Sequence, residues 1–340
     1  MKAKAIQREK GDLKIQRRVT LADIAKELNL DKSSVSLALR GHLRVSAETR
    51  ARVLTSAQRL GYRVNAAAQQ LATGKSHALG LVLPGTFATL RVEVAMRTIE
   101  RLATLVAAGG KAFTILSASD LILAAHDPMA LPHPEGVFVW GDVPLAALSD
   151  AGLRNTPSVV LDPNHVSYAD YRGLQVAMDN KGVGRMMVEH LVSRGVQRLL
   201  FVQANTDHLG HLQRWDGARQ AWGEHRPPQN LTCAPFAEVN DNLLRTFATG
   251  GDGGILCVVD DTAVVLMRRL TQMGFRIPQD IRIAGINGEE PARLMEVTTA
   301  LFDAETLAEK AYQALSESLT LPPVTTPPPI PFTLKVGETT

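Results

Sequence analysis

Apolar residues fall at helical spacing as soon as the chain leaves its first, highly polar stretch. Leu21, Ile24, Ala25 and Leu28 share one face behind Thr20, whose hydroxyl can cap a helix, and Asp23 stands three residues after that cap. Asn29 suits the tight turn that follows. A second short helix is expected over 32–39, opened by Asp31 and closed near Gly41. It turns Val35, Ala38 and Leu39 inward and Lys32, Ser33, Ser36, Leu37 and Arg40 outward. Ser46 caps a third helix ending near Leu60, with Glu48 in its first turn, Val53, Leu54, Ala57 and Leu60 inward and Gly61 as its stop. Three helices joined by turns this short form a helix-turn-helix unit.

Residues 65–72 favour a helix by composition, yet so short a helix needs a partner to be stable in water. Residues 73–76 are a polar junction. From Leu79 the texture becomes that of an α/β protein: 79–83 is a continuous apolar run, as for a strand covered on both faces. Strands are expected at 112–116, 136–139, 158–161, 174–179, 198–202, 254–259 and 281–286, and helices at 92–107, 182–194, 214–223 and 262–273. Such alternation argues for doubly wound parallel sheets, one or two of them. The Pro-rich stretch 322–331 reads as a crossover before a last strand at 332–336.

Charge sharpens the division. Residues 1–75 hold 16 of the 37 Lys and Arg but six of the 34 Asp and Glu, net +10, so the rest of the chain carries net −7. A basic head on an acidic body suits a polyanion-binding module joined to a solubilising one. Residues 1–18 read as a disordered basic arm adding non-specific attraction to DNA. No apolar run approaches the roughly 18 residues needed to span a bilayer, and no secretory signal core is present, so a cytoplasmic, nucleoid-associated protein is expected. Cys233 and Cys257 read as reduced core thiols.

Taken together, Val19-Thr-Leu-Ala-Asp-Ile-Ala25, Ser34-Val-Ser36, Val45-Ser-Ala-Glu-Thr-Arg50, Gly61-Tyr62, Asn65 and Ala68-Gln-Gln-Leu-Ala72 closely resemble the DNA-binding head and hinge of the lactose-repressor (LacI/GalR) family. The body is similar more loosely, through Leu79-Gly-Leu-Val-Leu83, Asp179-Asn180, Glu189-His-Leu191, Arg194-Gly195, Asp260-Asp261, Ile277-Pro278 and Ala284-Gly-Ile286. The resemblance implies an all-α helix-turn-helix head at 19–63 and a hinge helix and linker at 64–76. Behind them comes a two-lobed α/β effector and dimerisation domain of the periplasmic-binding-protein-like (type I) kind at 77–340. Lobe 1 would hold about 77–178 and 289–321, lobe 2 about 179–288 and 322–340.

It further implies a homodimer on a pseudo-palindromic double-stranded operator, with the second helix of each head in a major groove. Base contacts then fall to Lys32, Ser33, Leu37 and Arg40, and backbone contacts to Thr20, Ser36, Arg44, Ser46, Thr49 and Asn65. Ala68 and Leu71 would meet the minor groove, Leu71 as the wedge that unstacks a central step. The family usually has Arg where Leu37 stands and Asn where Arg40 stands. A leucine can touch a thymine methyl but cannot make the bidentate bond to guanine, so operator preference should differ from the family's common one. On the effector side the resemblance assigns Asp162, Arg214 and Asp261 to the cleft. Donors facing acidic acceptors suit a polyol such as a sugar. Phe302 stands where relatives often carry a polar side chain, making that wall apolar.

Other readings have less support. Thr73-Gly-Lys-Ser76 lacks the earlier glycine of a phosphate loop, having Gln69 there, and Gly250-Gly-Asp-Gly-Gly254 precedes a strand instead of joining strand to helix. The histidines show no metal-ligand spacing with the cysteines, no nucleophile-base set is evident, and no cofactor is implied. A non-enzymatic regulator, with repression the expected mode, is favoured over a secreted solute-binding protein. A regulator answering to a protein corepressor remains a narrower alternative. Leu71→Ala should lower specific operator affinity and leave effector binding largely intact, measured by duplex titration and calorimetry on the same preparation.

Overall fold

The computed structural model describes residues 19–39, 41–42, 44–62, 76–85, 92–124, 134–150, 153–204, 207–320 and 325–340. The expected arm at 1–18, Arg40, and the hinge residues Asn65, Ala68 and Leu71 lie outside them. The chain divides into two units, Met1–Lys75 and Ser76–Thr340.

The first unit contains the three expected helices, α1 (Leu21–Leu28), α2 (Lys32–Leu39) and α3 (Ala47–Leu60). Each start is fixed by a side chain at the position where a helix leaves its N–H groups unbonded. The Asp23 carboxylate accepts from the Thr20 backbone N–H (2.8 Å) and hydroxyl (2.7 Å), and Ser46 Oγ accepts from the Thr49 N–H (3.2 Å). Asn29 ends α1 in the left-handed region (φ 53°), and Gly61 ends α3 at φ 67°. Ile24, Ala25, Val35, Ala38, Val53 and Ala57 make the buried centre, with Leu21, Leu28, Leu39, Leu60 and Tyr62 packed round it. Leu54 departs from expectation. It is 49% exposed, because 53, 56, 57 and 60 share a face that 54 leaves by about 100°, and Ser56 is buried in its stead.

The second unit has two parallel sheets. The first comprises β1 (Ala78–Leu83), β2 (Ala112–Ser117), β3 (Gly136–Trp140), β4 (Ser158–Leu161) and β5 (Gln175–Val176), in the order β2-β1-β3-β4-β5. Its helices in chain order are α4 (Glu93–Ala108), α5 (Ala118–Ala124) and α6 (Leu145–Asp150). After β5 the chain enters the second lobe with α7 (Asn180–Ser193), β6 (Arg198–Gln203), α8 (Leu209–His225), β7 (Leu231–Pro235), α9 (Asp241–Ala248) and β8 (Gly253–Cys257). It continues through α10 (Asp260–Gln272), β9 (Ile281–Asn287), α11 (Glu290–Leu294) and β10 (Thr298–Leu301). Helix α12 (Ala304–Ser318) returns to pack on α4 and the first sheet, and β11 (Thr333–Lys335) closes the second sheet, ordered β11-β10-β9-β8-β6-β7. Only the β10–β11 pair is antiparallel there.

Several boundaries differ from the sequence reading. The expected strand at 174–179 pairs with β4 only at Gln175–Val176 and makes one further parallel bridge, from Met178 to Ile330, before Asp179 caps α7 by accepting from the Gly182 N–H at 2.8 Å. Helix α8 starts at Leu209, a turn and more before residue 214, behind His208 as cap. The return to the first lobe falls after Leu301 instead of at 289, because β10 pairs with β9 and keeps the preceding segment in the second lobe. Cys233 is exposed on β7, not in the core, whereas Cys257 is buried in β8. The buried crossover residues Met178, Phe302, Ile330 and Phe332 join the packing of the two lobes into one continuous cluster.

Helices α7 and α8 approach so closely that glycine is required where they cross. A Cβ on Gly184 would strike the Arg214 carbonyl oxygen, and one on Gly217 the Lys181 carbonyl oxygen. Gly217→Ala should therefore cost about 1–3 kcal/mol. Gly223→Ala, in the same helix with nothing within 4 Å of the added carbon, should stabilise by up to about 1 kcal/mol. Urea denaturation midpoints of the two variants check both.

Candidate nucleic-acid interface and effector cleft

In the head, the packing of Val35 and Ala38 fixes which side of α2 is free. Lys32 and Ser33 are exposed at its N-terminal end and Leu37 is half-buried further along. Thr20, Arg44 and Ser46 are exposed, and Ser36 and Thr49 are half-buried. Arg50 donates to the carbonyls of Gly41 (2.6 Å) and His42 (3.2 Å), which ties the loop after α2 to α3. Asp31 holds the start of α2, accepting from the Ser34 N–H (2.8 Å), the Ser34 hydroxyl (2.7 Å) and the Ser33 hydroxyl. These bonds, the serine hydroxyls foremost, hold its carboxyl far below the usual carboxylate range.

In the body, the notable groups gather at the carboxyl ends of strands, where ligands of α/β sheets bind. Arg214, on α8, is 4% exposed. Its Nε donates to Asn180 Oδ1 (2.8 Å), Nη1 to the Val258 carbonyl just past β8 (2.7 Å), and Nη2 to Asn287 Oδ1 at the end of β9 (3.1 Å). The guanidinium also lies 5.3 Å from the centre of the Phe332 ring, on which Phe302 packs edge-on at 5.8 Å. Asp162 and Asn287 follow or end β4 and β9 with φ of 44° and 124°, a conformation side chains other than glycine seldom adopt and which clusters at functional sites. Asp162 is buried, and its carboxylate accepts from the Met178 N–H and the Asn164 amide, both at 3.2 Å. Asn164 is buried as well, with its Oδ1 lacking any hydrogen-bond donor.

Burial governs the charges here. It pulls Arg214 down to about 10 against the opposing pull of Asp162, Asp260 and Glu289. It raises Asp162 in spite of the Met178 N–H and Arg214, and raises Asp260 in spite of the Thr299 hydroxyl and the Glu289 N–H. Glu289 goes up to about 7 through burial and then through Asp261 and Asp260. His208 stacks on His211 at 3.8 Å and is held down to about 4 by burial and by Arg214.

The sequence reading thus meets the structure unevenly. Arg214, Asp162 and Phe302 converge. Asp261 does not: it is exposed at the start of α10, and the buried acid beside Arg214 is Asp260, which accepts from Thr299 Oγ1 at 2.7 Å. Asn164, Asn180, Asn287, His208 and Glu289 were not anticipated. Asn180 stood in a quoted motif, but nothing in the local pattern showed that it would reach Arg214 from the start of another helix.

Residues 20–65 match the model of bacterial regulatory proteins of the lacI family, and residues 188–340 match that of a periplasmic binding protein-like domain. Catabolite control protein A of Staphylococcus xylosus is 24% identical over 292 residues, covering 82% of this chain and 84% of that one. HTH-type transcriptional regulator AglR of Rhizobium meliloti (strain 1021) is 53% identical over 66 residues, covering 19% of this chain and 18% of that one. The lac repressor dimer bound to operator and the anti-inducer ONPF superposes with a TM-score of 0.74 at 19% identity, covering 95% of this chain and 99% of that one. The CelR–cellobiose complex gives 0.66 at 19% identity, covering 95% of this chain and 100% of that one.

Residues 20–65 thus carry a DNA-binding head of the lacI-family kind, and residues 188–340 a periplasmic-binding-protein-like domain. The chain is a DNA-binding transcription regulator, with its helix-turn-helix at the N-terminal end and a two-sheet binding-protein-like body behind it. Among the described residues of this regulator no group of His, Cys, Asp and Glu is arranged to hold a metal ion, and no helix is long and apolar enough to cross a membrane.

The cleft carboxyls make a pH prediction. Glu289, ordinarily near 4.5, is held up to about 7 in the folded state, so between those values the folded chain binds more protons than the unfolded one and stability falls as pH rises. His208, held down to about 4 from 6.5, acts oppositely between pH 4 and 6.5. Comparing Glu289→Gln with the parent cancels the histidine. The variant should gain stability relative to the parent as pH rises from 5 to 8 in urea titrations, and a constant difference would show that Glu289 titrates normally.

Proposed function

We propose that this regulator reads a pseudo-palindromic operator with α2 in the major groove and takes a small hydroxylated effector, a sugar being the leading chemical class, in the cleft around Arg214. Lys32, Ser33 and Leu37 then address base edges, with Arg40 following them in sequence. Thr20, Ser36, Arg44, Ser46 and Thr49 address phosphates, and Asn65, Ala68 and Leu71 act in the hinge segment. The exposed N-terminal end of a helix whose other side is packed in the head carries the DNA reading. The carrying observation on the effector side is Arg214, a cation with one bond from each nitrogen to Asn180, Val258 and Asn287. A guanidinium has five N–H groups, so two remain for a ligand. Asp162, the unpaired Asn164 oxygen and the aromatic wall of Phe302 and Phe332 supply the acceptors and the apolar face that a sugar ring uses. Two solved relatives by fold carry such ligands, cellobiose in one and D-xylulofuranose in another.

A homodimer accords with this reading. Leu294 at the end of α11, Met295 just past it and Val265 on the neighbouring α10 are 77%, 44% and 51% exposed, large apolar groups that a second copy would cover. We read the chain as a cytoplasmic, nucleoid-associated binding protein and not as an enzyme, and repression as its mode. Effector and operator are coupled by one reciprocal free energy, whichever sign it takes.

Selecting bound duplexes from a random pool should return one palindromic site, bound less tightly as salt rises; equal affinity for all duplexes would reject the DNA reading. Mono- and disaccharides added to the complex should change operator affinity. In Arg214→Lys the sugar concentration for half effect should rise at least about tenfold, because an ammonium cannot reproduce the fork. An unchanged response in a variant that still folds would remove Arg214 from the ligand's contacts.

A further inference from the structure

At the N-terminal end of α2 the hydroxyl hydrogens are already committed. Asp31 Oδ1 accepts from the Ser34 backbone N–H at 2.8 Å and from the Ser33 hydroxyl, and Oδ2 accepts from the Ser34 hydroxyl at 2.7 Å. A serine hydroxyl has one hydrogen and two lone pairs. Serine in a major groove is ordinarily ambivalent, able to meet a donor or an acceptor on the base edge. Here the hydrogen of Ser33 is spent within the head, and what this exposed side chain has left to show a duplex is lone pairs. Lys32, its exposed neighbour, has the opposite character, since an ammonium only donates.

We propose that Asp31 determines operator specificity indirectly, by fixing the polarity of Ser33: the Ser33 oxygen becomes an obligate acceptor that selects a base bearing an exocyclic amine, cytosine or adenine, on the strand it faces. The inference rests on the placement of α2 in the major groove and adds to it which half of the base alphabet Ser33 accepts. Cytosine N4 and adenine N6 are the donors of the major-groove edge, whereas guanine and thymine offer O6, N7 and O4 as acceptors. An oxygen without a free hydrogen is repelled by the second set. Asp31 is thus a positioning residue. It touches no base, and it acts by the direction in which it holds another residue's proton.

The substitution that tests this removes the acceptor and spares the helix start. Glycine in place of an N-cap aspartate costs only a few tenths of a kcal/mol, so Asp31→Gly should preserve the head, checked by thermal unfolding. Asparagine would not serve, because its carbonyl oxygen in the Oδ1 position could still accept from both the Ser34 N–H and the Ser33 hydroxyl; glycine leaves the Ser33 hydrogen free to turn toward the groove. The full-length parent, Asp31→Gly and Ser33→Ala are each used to select duplexes from a random pool. Ser33→Ala should abolish preference at one position per half-site. At that position the parent should favour C or A by roughly three- to tenfold, the range of one net hydrogen bond, and Asp31→Gly should lose that preference, taking G or T about as well, because a released hydroxyl can donate as well as accept. Loss of the Asp31 charge should also raise affinity for all duplexes alike, which alters no preference. A parent preference for G or T there, an Asp31→Gly variant that keeps the parent's preference, or a Ser33→Ala variant with unaltered selectivity would each overturn the inference while leaving the groove reading in place. If the parent enriches no palindrome and none of the variants changes its binding, the groove reading falls and this inference falls with it.

Discussion

An enclosed cation has to recover from the protein the hydrogen bonds and counter-charge that water no longer supplies. For Arg214 that requirement organises much of the body. It is met by Asn180 at the start of α7, the Val258 carbonyl past β8, Asn287 at the end of β9, and the Phe332 ring just before β11. Each group comes from a different stretch of chain, so the guanidinium registers the helices on the sheet ends and the sheet ends on the last crossover. The glycines at the α7–α8 crossing belong to the same constraint, because Gly184 lies against the carbonyl of Arg214 itself and allows α8 to sit deep enough for the side chain to reach the cleft. Removing the cation would strand Asp162 and Asp260, both buried, in a site that burial already makes hostile to their charge.

The head solves a smaller problem by a similar route. Its buried centre is built from six residues, too few to position three helices by packing alone, and the caps supply the rest. Asp23, Asp31 and Ser46 each bind groups at a helix start, so the ends of the helices are specified as firmly as their faces. The cost is that hydroxyls which look free in the sequence are engaged. Thr20 donates to Asp23, Ser46 donates to Thr49 Oγ1 at 2.9 Å, and Ser33 donates to Asp31. A phosphate or base approaching these residues meets oxygens whose orientation the caps have already chosen.

What the sequence disclosed follows from the range of the forces involved. Periodicity and caps are local, and α1, α2 and α3 were bounded by them correctly; the one misplaced residue, Leu54, came from reading adjacent apolar residues as one face. Strands buried on both sides, such as β1 and β8, were visible as apolar runs. Two strands were not: β7 is only half covered, and β10 owes its place in the second sheet to pairing with β9, a contact between distant segments that no local pattern encodes. The cleft divides in the same way. Arg214 and Asp162 stood out through the family resemblance, but Asp260 and its neighbour Asp261 are indistinguishable in sequence until the start of α10 turns one inward, to Thr299, and the other to solvent.

The lobes are held together by more than their three connections. Glu93, at the start of α4 in the first lobe, accepts from Arg293 Nη2 at 2.9 Å and from the Glu290 N–H, both on α11 of the second. At another point the Leu209 N–H donates to the Asn164 carbonyl, and His165 pairs with His208 through the backbone. A ligand bonded to Arg214 on one side and to Asp162 or Asn164 on the other would add to these contacts instead of creating closure unaided. By the logic of shifted equilibria, its influence on the head is limited to the difference in its affinity for the two arrangements of the lobes. Contacts that already favour approach reduce the differential affinity the ligand must provide. Effector control then requires only that they be too weak to decide the arrangement without it. Exposed or half-exposed ion pairs such as Glu93–Arg293, worth about 0–1 kcal/mol each, meet that condition.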